Sequence, residues 1–145
     1  MGASLFLPFL AAYPKYGEVR TFHDETPEIS LYLGFSPHTM VAGWRRMGSL
    51  NRSIYVLRYV RYTGNLGVGG GIVAETNLNF FGLDATLSYR GKASFLQVSP
   101  RLSLTYFPTV KYPGYVKPVD RIVKNFVSLT FGVDLGIAAR VEVER

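Results

Sequence analysis

No cysteine occurs among the 145 residues, so neither a disulfide framework nor a thiolate metal site can be built. Histidine is almost as scarce. His23 and His38 are the two copies, and two distant imidazoles without cysteine leave no compact ligand set for a metal. No stretch comes near the roughly 20 uninterrupted apolar residues that a spanning helix requires, which excludes a helical membrane protein. Leu5–Ala12 is apolar, but Met1–Ser4 has no basic flank and Pro8 interrupts the run. The chain is therefore expected to carry no signal peptide of its own. Met1-Gly2 does not open a myristoylation motif either, because Phe6 stands where Ser or Thr is needed.

Aromatic residues are plentiful, with ten Tyr and ten Phe against one Trp, and 48% of the chain is hydrophobic. Tyr and Phe suit strands and membrane interfaces alike. The length fits one domain with a real core. A net charge of +6 points toward an anionic partner. The densest basic stretch is Arg45, Arg46, Arg52, Arg58 and Arg61, interleaved with Tyr55, Tyr59 and Tyr62. Such a pattern would suit nucleic-acid or lipid phosphates, and equally a solvated strand face with ordinary counter-charges.

The clearest pattern lies in Val127–Val143. Val127, Leu129, Phe131, Val133, Leu135, Ile137, Ala139, Val141 and Val143 share one parity, while Ser128, Thr130, Gly132, Asp134, Gly136, Ala138, Arg140 and Glu142 share the other. Period-two alternation of this kind predicts a strand with different surroundings on its two faces. Leu96–Tyr106 repeats the pattern, with Pro100 marking a bulge or a non-donating position. Shorter alternating runs cover Ile29–Phe35, His38–Met47, Leu66–Phe80 and Leu83–Tyr89, and Ser53–Thr63 is rich in β-branched and aromatic residues with less distinct faces, since Arg58 and Arg61 fall on opposite parities; turn signals such as Ser36-Pro37, Gly64-Asn65 and Gly91-Lys92 separate them. The expectation is all-β: one domain over residues 1–145, an antiparallel up-and-down β-barrel of about eight strands. Residues 1–16, with Pro8 and Pro14, read as an arm or edge strand, and residues 107–120, with Pro108, Pro113 and Pro118, as a long loop.

Eight strands leave an interior that side chains fill, so the polar parity is expected to form a buried network with no wide pore. Its candidates are Glu75, Asp84, Arg90, Arg101, Asp134 and Arg140, whose mixed signs would satisfy one another. Asp134 and Arg140 are too far apart along one strand to pair, so Asp134 needs Arg101 or Arg90, and Arg140 needs Glu75 or Asp84. On the opposite parity, Leu96, Leu104, Leu129, Phe131 and Leu135 are expected to face lipid.

Catalytic signals are thin. His23, Asp24, Ser36 and His38, with Ser99, supply the residue types of a Ser-His-acid hydrolase, but their spacing guarantees no contact among them. Gly69-Gly70-Gly71 is followed by no Gly-Lys-Ser/Thr and no helical pattern, so the glycines are read as strand bending, not as a phosphate loop. No cofactor is called for, and a structural role is favoured over catalysis.

The strands Leu83–Tyr89, Leu96–Tyr106 and Val127–Val143, with short polar turns and aromatic ends, resemble the small outer-membrane β-barrel proteins of the OmpA and OmpX type. The resemblance covers about two thirds of the chain and is one of pattern. It implies a bacterial outer-membrane address, a structural, adhesive or lipid-contacting role, and membrane lipid or lipopolysaccharide as partner. Protein partners or self-assembly are compatible with it, and nucleic acid is disfavoured. Related small barrels include lipid A acyl-modifying enzymes, but their His and Ser motif does not align with His23 or His38. Two other readings are a soluble barrel or sandwich subunit of a virion or other assembly, and a barrel lipid hydrolase.

Overall fold

Alternating side chains leave every backbone N–H and C=O of a strand to be satisfied sideways, and the chain solves this by closing its sheet on itself. The structure, a computed structural model, describes residues 2–14, 17–21, 25–35, 37–47, 52–93, 96–112 and 121–138. They form β1 (Gly2–Tyr13), β2 (Glu18–Thr21), β3 (Glu28–Phe35), β4 (His38–Met47), β5 (Arg52–Thr63), β6 (Leu66–Glu75), β7 (Phe81–Tyr89), β8 (Gly91–Ala93), β9 (Leu96–Tyr112) and β10 (Arg121–Ala138). Eight strands make the ring in the order β10-β1-β3-β4-β5-β6-β7-β9, and β9 pairs with β10 to close it. All pairings are antiparallel. The two short strands extend the wall: β2 pairs with the end of β1, and β8 continues the line of β7 along β9.

The register fixes the geometry of the ring. Cross-strand partners can be followed from Phe81 through Ala74, Tyr55, Trp44, Ile29, Leu5, Leu135 and Val98 to Gly91. One circuit of eight strands thus returns to the β7–β8 line at Gly91, ten residues beyond Phe81. A stagger of this size tilts the strands by about 40° and leaves a bore that side chains can fill.

Three expectations need correction. Residues 2–13 are neither an arm nor an edge: β1 is a wall strand, paired with β10 on one side and with β3 and β2 on the other. Pro8 is tolerated because the β3 ladder ends at Phe6, the β2 ladder begins at Leu10, and the β10 register shifts between Pro8 and Leu10. A ring that cannot donate sits where one ladder has already stopped. Of the expected loop 107–120, Phe107–Tyr112 continue β9, and 113–120 lie outside the described residues. Gly91-Lys92 is also strand, not turn.

The connections divide by end. At one end the strands are joined through two residues each, at 36–37, 64–65 and 94–95; at the other the connecting segments are 14–27, 48–51, 76–80 and 113–120. These are called the turn end and the loop end. The interior divides along the same axis. Ala11, Tyr13, Ile54, Val56, Val73, Phe80, Phe107, Val110 and Phe126 pack into an apolar plug at the loop end. Phe80 meets Phe107 edge-on at 5.1 Å between ring centroids, and Phe107 and Phe126 lie 6.2 Å apart. Mid-barrel the inward positions are polar.

Candidate functional site

Two features stand out: a buried ionic cluster and a wall whose polarity is inverted. The cluster is centred on Glu28, which β3 aims into the bore and which is wholly buried. Its Oε1 accepts hydrogen bonds from Arg58 Nη1 at 2.9 Å, Ser30 Oγ at 3.0 Å and Arg101 Nη1 at 3.2 Å. Its Oε2 accepts from Arg58 Nη2 at 3.3 Å and lies 3.1 Å from Arg101 Nη2 and 3.9 Å from Arg45 Nε. Arg58 uses its Nε to bond Asp84 Oδ2. Asp84 Oδ1 accepts from Thr105 Oγ1 at 3.1 Å, and that hydroxyl accepts from Arg45 Nη2 at 3.0 Å. Arg101 Nη1 also stands 3.5 Å from Asp134 Oδ2, and its guanidinium lies 3.8 Å from the centre of the Phe6 ring.

Three guanidinium groups therefore face three carboxylates. The balance matters because an unpaired charge in such a site carries a desolvation penalty of several kcal/mol, whereas each of these groups has an opposite charge within ion-pair distance. Space for the cluster comes from Gly43, the cross-strand partner of Ser30. A Cβ on Gly43 would stand 2.9 Å from Glu28 Oε1 and 2.8 Å from Ser30 Oγ.

Of the candidates named from sequence, Asp84, Arg101 and Asp134 meet in this cluster. Arg101, not Arg90, is the cation that reaches Asp134. Glu75 is buried elsewhere. At the loop end its Oε2 accepts from the backbone N–H of Asn77 at 3.0 Å and of Asn79 at 3.1 Å, so it organises its own turn. Arg90 lies over the Tyr62 ring at 3.8 Å, near the turn end. Arg140 falls outside the described residues, as do His23, Asp24 and Ser36. His38 is exposed on the outer wall, hydrogen-bonded through Nδ1 to the Tyr59 hydroxyl, and does not join the buried carboxylates. Among the described residues no group of three His, Cys, Asp or Glu is placed to hold a metal.

Three members of the cluster were not among the candidates: Glu28, Arg45 and Arg58. Glu28 and Ser30 lie on the parity opposite Ile29, Leu31 and Leu33, so the alternation of β3 carries the signal, with Glu28 one residue before the Ile29–Phe35 run. Arg58 is harder to see because its inward neighbours Ile54, Val56 and Val60 are as apolar as the outward Leu57. The basic stretch is accordingly not one face. Arg45 and Arg58 turn inward, while Arg46 and Arg61 are exposed.

The outer wall has the reverse chemistry. Leu31 is 65% exposed, Leu83 59% and Ile72 58%, while Glu28, Ser103 and Thr105 are at 0%. Leu104, Leu129 and Phe131 point outward with them, and Leu96 and Leu135 are half-buried. Trp44, Tyr55 and Phe81 fall on one cross-strand row toward the loop end, and Tyr59 and Tyr89 stand toward the turn end. From Val127 to Ile137 the outward residues of β10 are apolar without interruption. At ~3.3 Å per residue and a tilt of ~40° that band is about 25 Å tall. Comparison of the chain with protein-family models, with curated proteins and with solved structures finds no match.

Proposed function

We propose that the chain is a small membrane-embedded β-barrel with a structural, adhesive or lipid-contacting role. The observation that carries this reading is the inversion of polarity: exposed leucines and aromatics ring a barrel whose charged side chains are buried. In water, soluble monomers rarely expose contiguous apolar patches beyond a few hundred Å², and a band around the whole circumference exceeds that. In hydrocarbon the same band is the favourable solvent contact. Its height of about 25 Å fits the apolar band of outer-membrane barrels, and the aromatic residues toward both margins fit their girdles.

The short-turn and long-loop ends support the bacterial outer membrane as the address, with short turns inward and long loops outward. The likeness in pattern to OmpA and OmpX supports the same placement. The interior argues for a scaffold over a channel, because the ionic cluster fills mid-barrel and the apolar plug fills the loop end. Membrane lipid, including lipopolysaccharide, is the partner such a wall would meet.

Gel migration before and after boiling tests the proposal. A folded membrane barrel should run at a different apparent mass when unheated and should need detergent or lipid to stay in solution. A chain that is monodisperse in amphiphile-free buffer, with no heat-dependent shift, would overturn it.

A further inference from the structure

Cations occur both in the bore and on the outer wall, whereas the carboxylates whose side chains are described are withdrawn from the surface. Glu28, Glu75 and Asp84 are buried, Asp134 leans on Arg101, and Glu25 accepts a hydrogen bond from the plug residue Tyr13. None of these carboxylates is exposed. Among the residues whose side chains are described, the exposed charges are Arg46, Arg61 and Lys124, all cations. Of these, Arg61 has His38 and Val68 as its direct cross-strand partners, so no carboxylate stands opposite it in the wall.

Arg61 is the most informative of them. It is exposed on β5 just before the Gly64-Asn65 turn, and its side chain makes no hydrogen bond or ion pair among the described residues. Its direct cross-strand partner is His38 on β4, which places the two side chains about 5 Å apart at Cβ. Two residues along β5, Tyr59 stacks on the His38 ring, with centroids 5.8 Å apart and planes 28° apart, and shares a hydrogen bond with Nδ1. That contact holds the imidazole against the wall beside Arg61. The neighbours turn apolar at once: Val68 is the partner of Arg61 on β6, Met40 and Leu33 lie one row toward the barrel middle with Tyr59, and all three are exposed. A fixed aromatic pair, a free guanidinium and an apolar floor occur together at the turn-end margin of the band.

We propose that His38, Tyr59 and Arg61 form a binding site for the phosphate of an anionic glycerophospholipid in the leaflet at the turn end. Arg61 supplies a fork of donors to the phosphate oxygens, Tyr59 and His38 set the edge of the headgroup, and Met40, Leu33 and Val68 lie along the acyl chain. This rests on the membrane-embedded reading and adds to it a headgroup class and a location.

The test uses the full chain, folded in zwitterionic detergent and titrated with phosphatidylglycerol or phosphatidylcholine. Retained lipid is read by native mass spectrometry, and heat-dependent gel migration is read on the same samples. Phosphatidylglycerol should be retained over phosphatidylcholine, and R61Q should lower its retention about fivefold. H38Q should lower it less, and R46Q, at the other end, should leave it unchanged. Inorganic phosphate at the same concentration should not displace the lipid. Equal retention by R61Q and the wild type, both heat-modifiable, would overturn the site and leave the membrane reading standing. An equal loss with R46Q, or displacement by inorganic phosphate, would also overturn it. Loss of heat-modifiability in the wild type would instead remove the membrane reading and the site with it.

Discussion

Arg58 stands between Glu28 and Asp84, donating Nη1 and Nη2 to the first and Nε to the second, so one guanidinium joins β3 to β7 across the bore. Arg58→Met would leave two buried carboxylates facing one another with one cation fewer. Removing one partner from such a set costs about 3–5 kcal/mol. The expected outcome is a loss of that size in denaturant unfolding, followed through the single tryptophan, Trp44. Arg58→Lys should recover only part of it, because an ammonium cannot span both acids as the fork does.

The two ends of the cluster should respond differently. Among the described residues Asp134 forms an ion pair with Arg101 alone, at 3.5 Å, and its Oδ1 accepts no hydrogen bond from them. Glu28 meets Arg45, Arg58 and Arg101. Asp134→Asn should therefore cost about 1 kcal/mol, and Glu28→Gln about 3–5 kcal/mol. The ranking is checked by comparing the two unfolding midpoints under one condition. Equal losses would mean that Arg101 depends on both acids alike.

Much of this was legible before any coordinates. Period-two alternation in Val127–Val143 and Leu96–Tyr106 is enough to infer long strands, a wall with one apolar and one polar face, and a barrel, because side-chain direction in a strand depends on parity alone. What alternation cannot carry is the content of the bore where both parities are apolar. Ile54, Val56 and Phe107 belong to the plug, yet their outward neighbours Tyr55, Leu57 and Pro108 look no different in sequence. Nor could parity reveal which charges meet. The contact between Glu28 and Arg101 spans 73 residues of chain and depends on ring closure. Pro8 misled for a related reason: proline argues against a paired strand only where the missing donor has an acceptor waiting.

Gly43→Val tests the space that Glu28 occupies. The added side chain would crowd both Glu28 Oε1 and Ser30 Oγ, and overpacking of this kind costs about 1–3 kcal/mol. Combining it with Glu28→Asp, which shortens the acid, should give less than the sum of the single losses. Strict additivity in that double-mutant cycle would show that the two positions do not compete for room.

The wall can be probed at Leu102, whose neighbours across the strands are Leu87 and Phe131. Leu102→Arg should cost about 2–4 kcal/mol for the barrel folded into lipid vesicles. For a water-facing strand the same change would fall within about 0.5 kcal/mol. Vesicle-based unfolding of this one variant distinguishes those surroundings.

The pairing of β1 with β10 has a temporal side. The strand nearest the beginning of the described chain is completed on its open flank by the last of the described strands, with Gly2 set against Ala138 and Ala12 against Leu129. Until β10 emerges, both β1 and β9 present unpaired edges, and any product truncated before Arg121 keeps them. The ring has no half-finished form that satisfies its own backbone. Such a chain must be kept apart from its copies throughout synthesis, and its final step is a closure between distant segments, the slowest kind of contact to find.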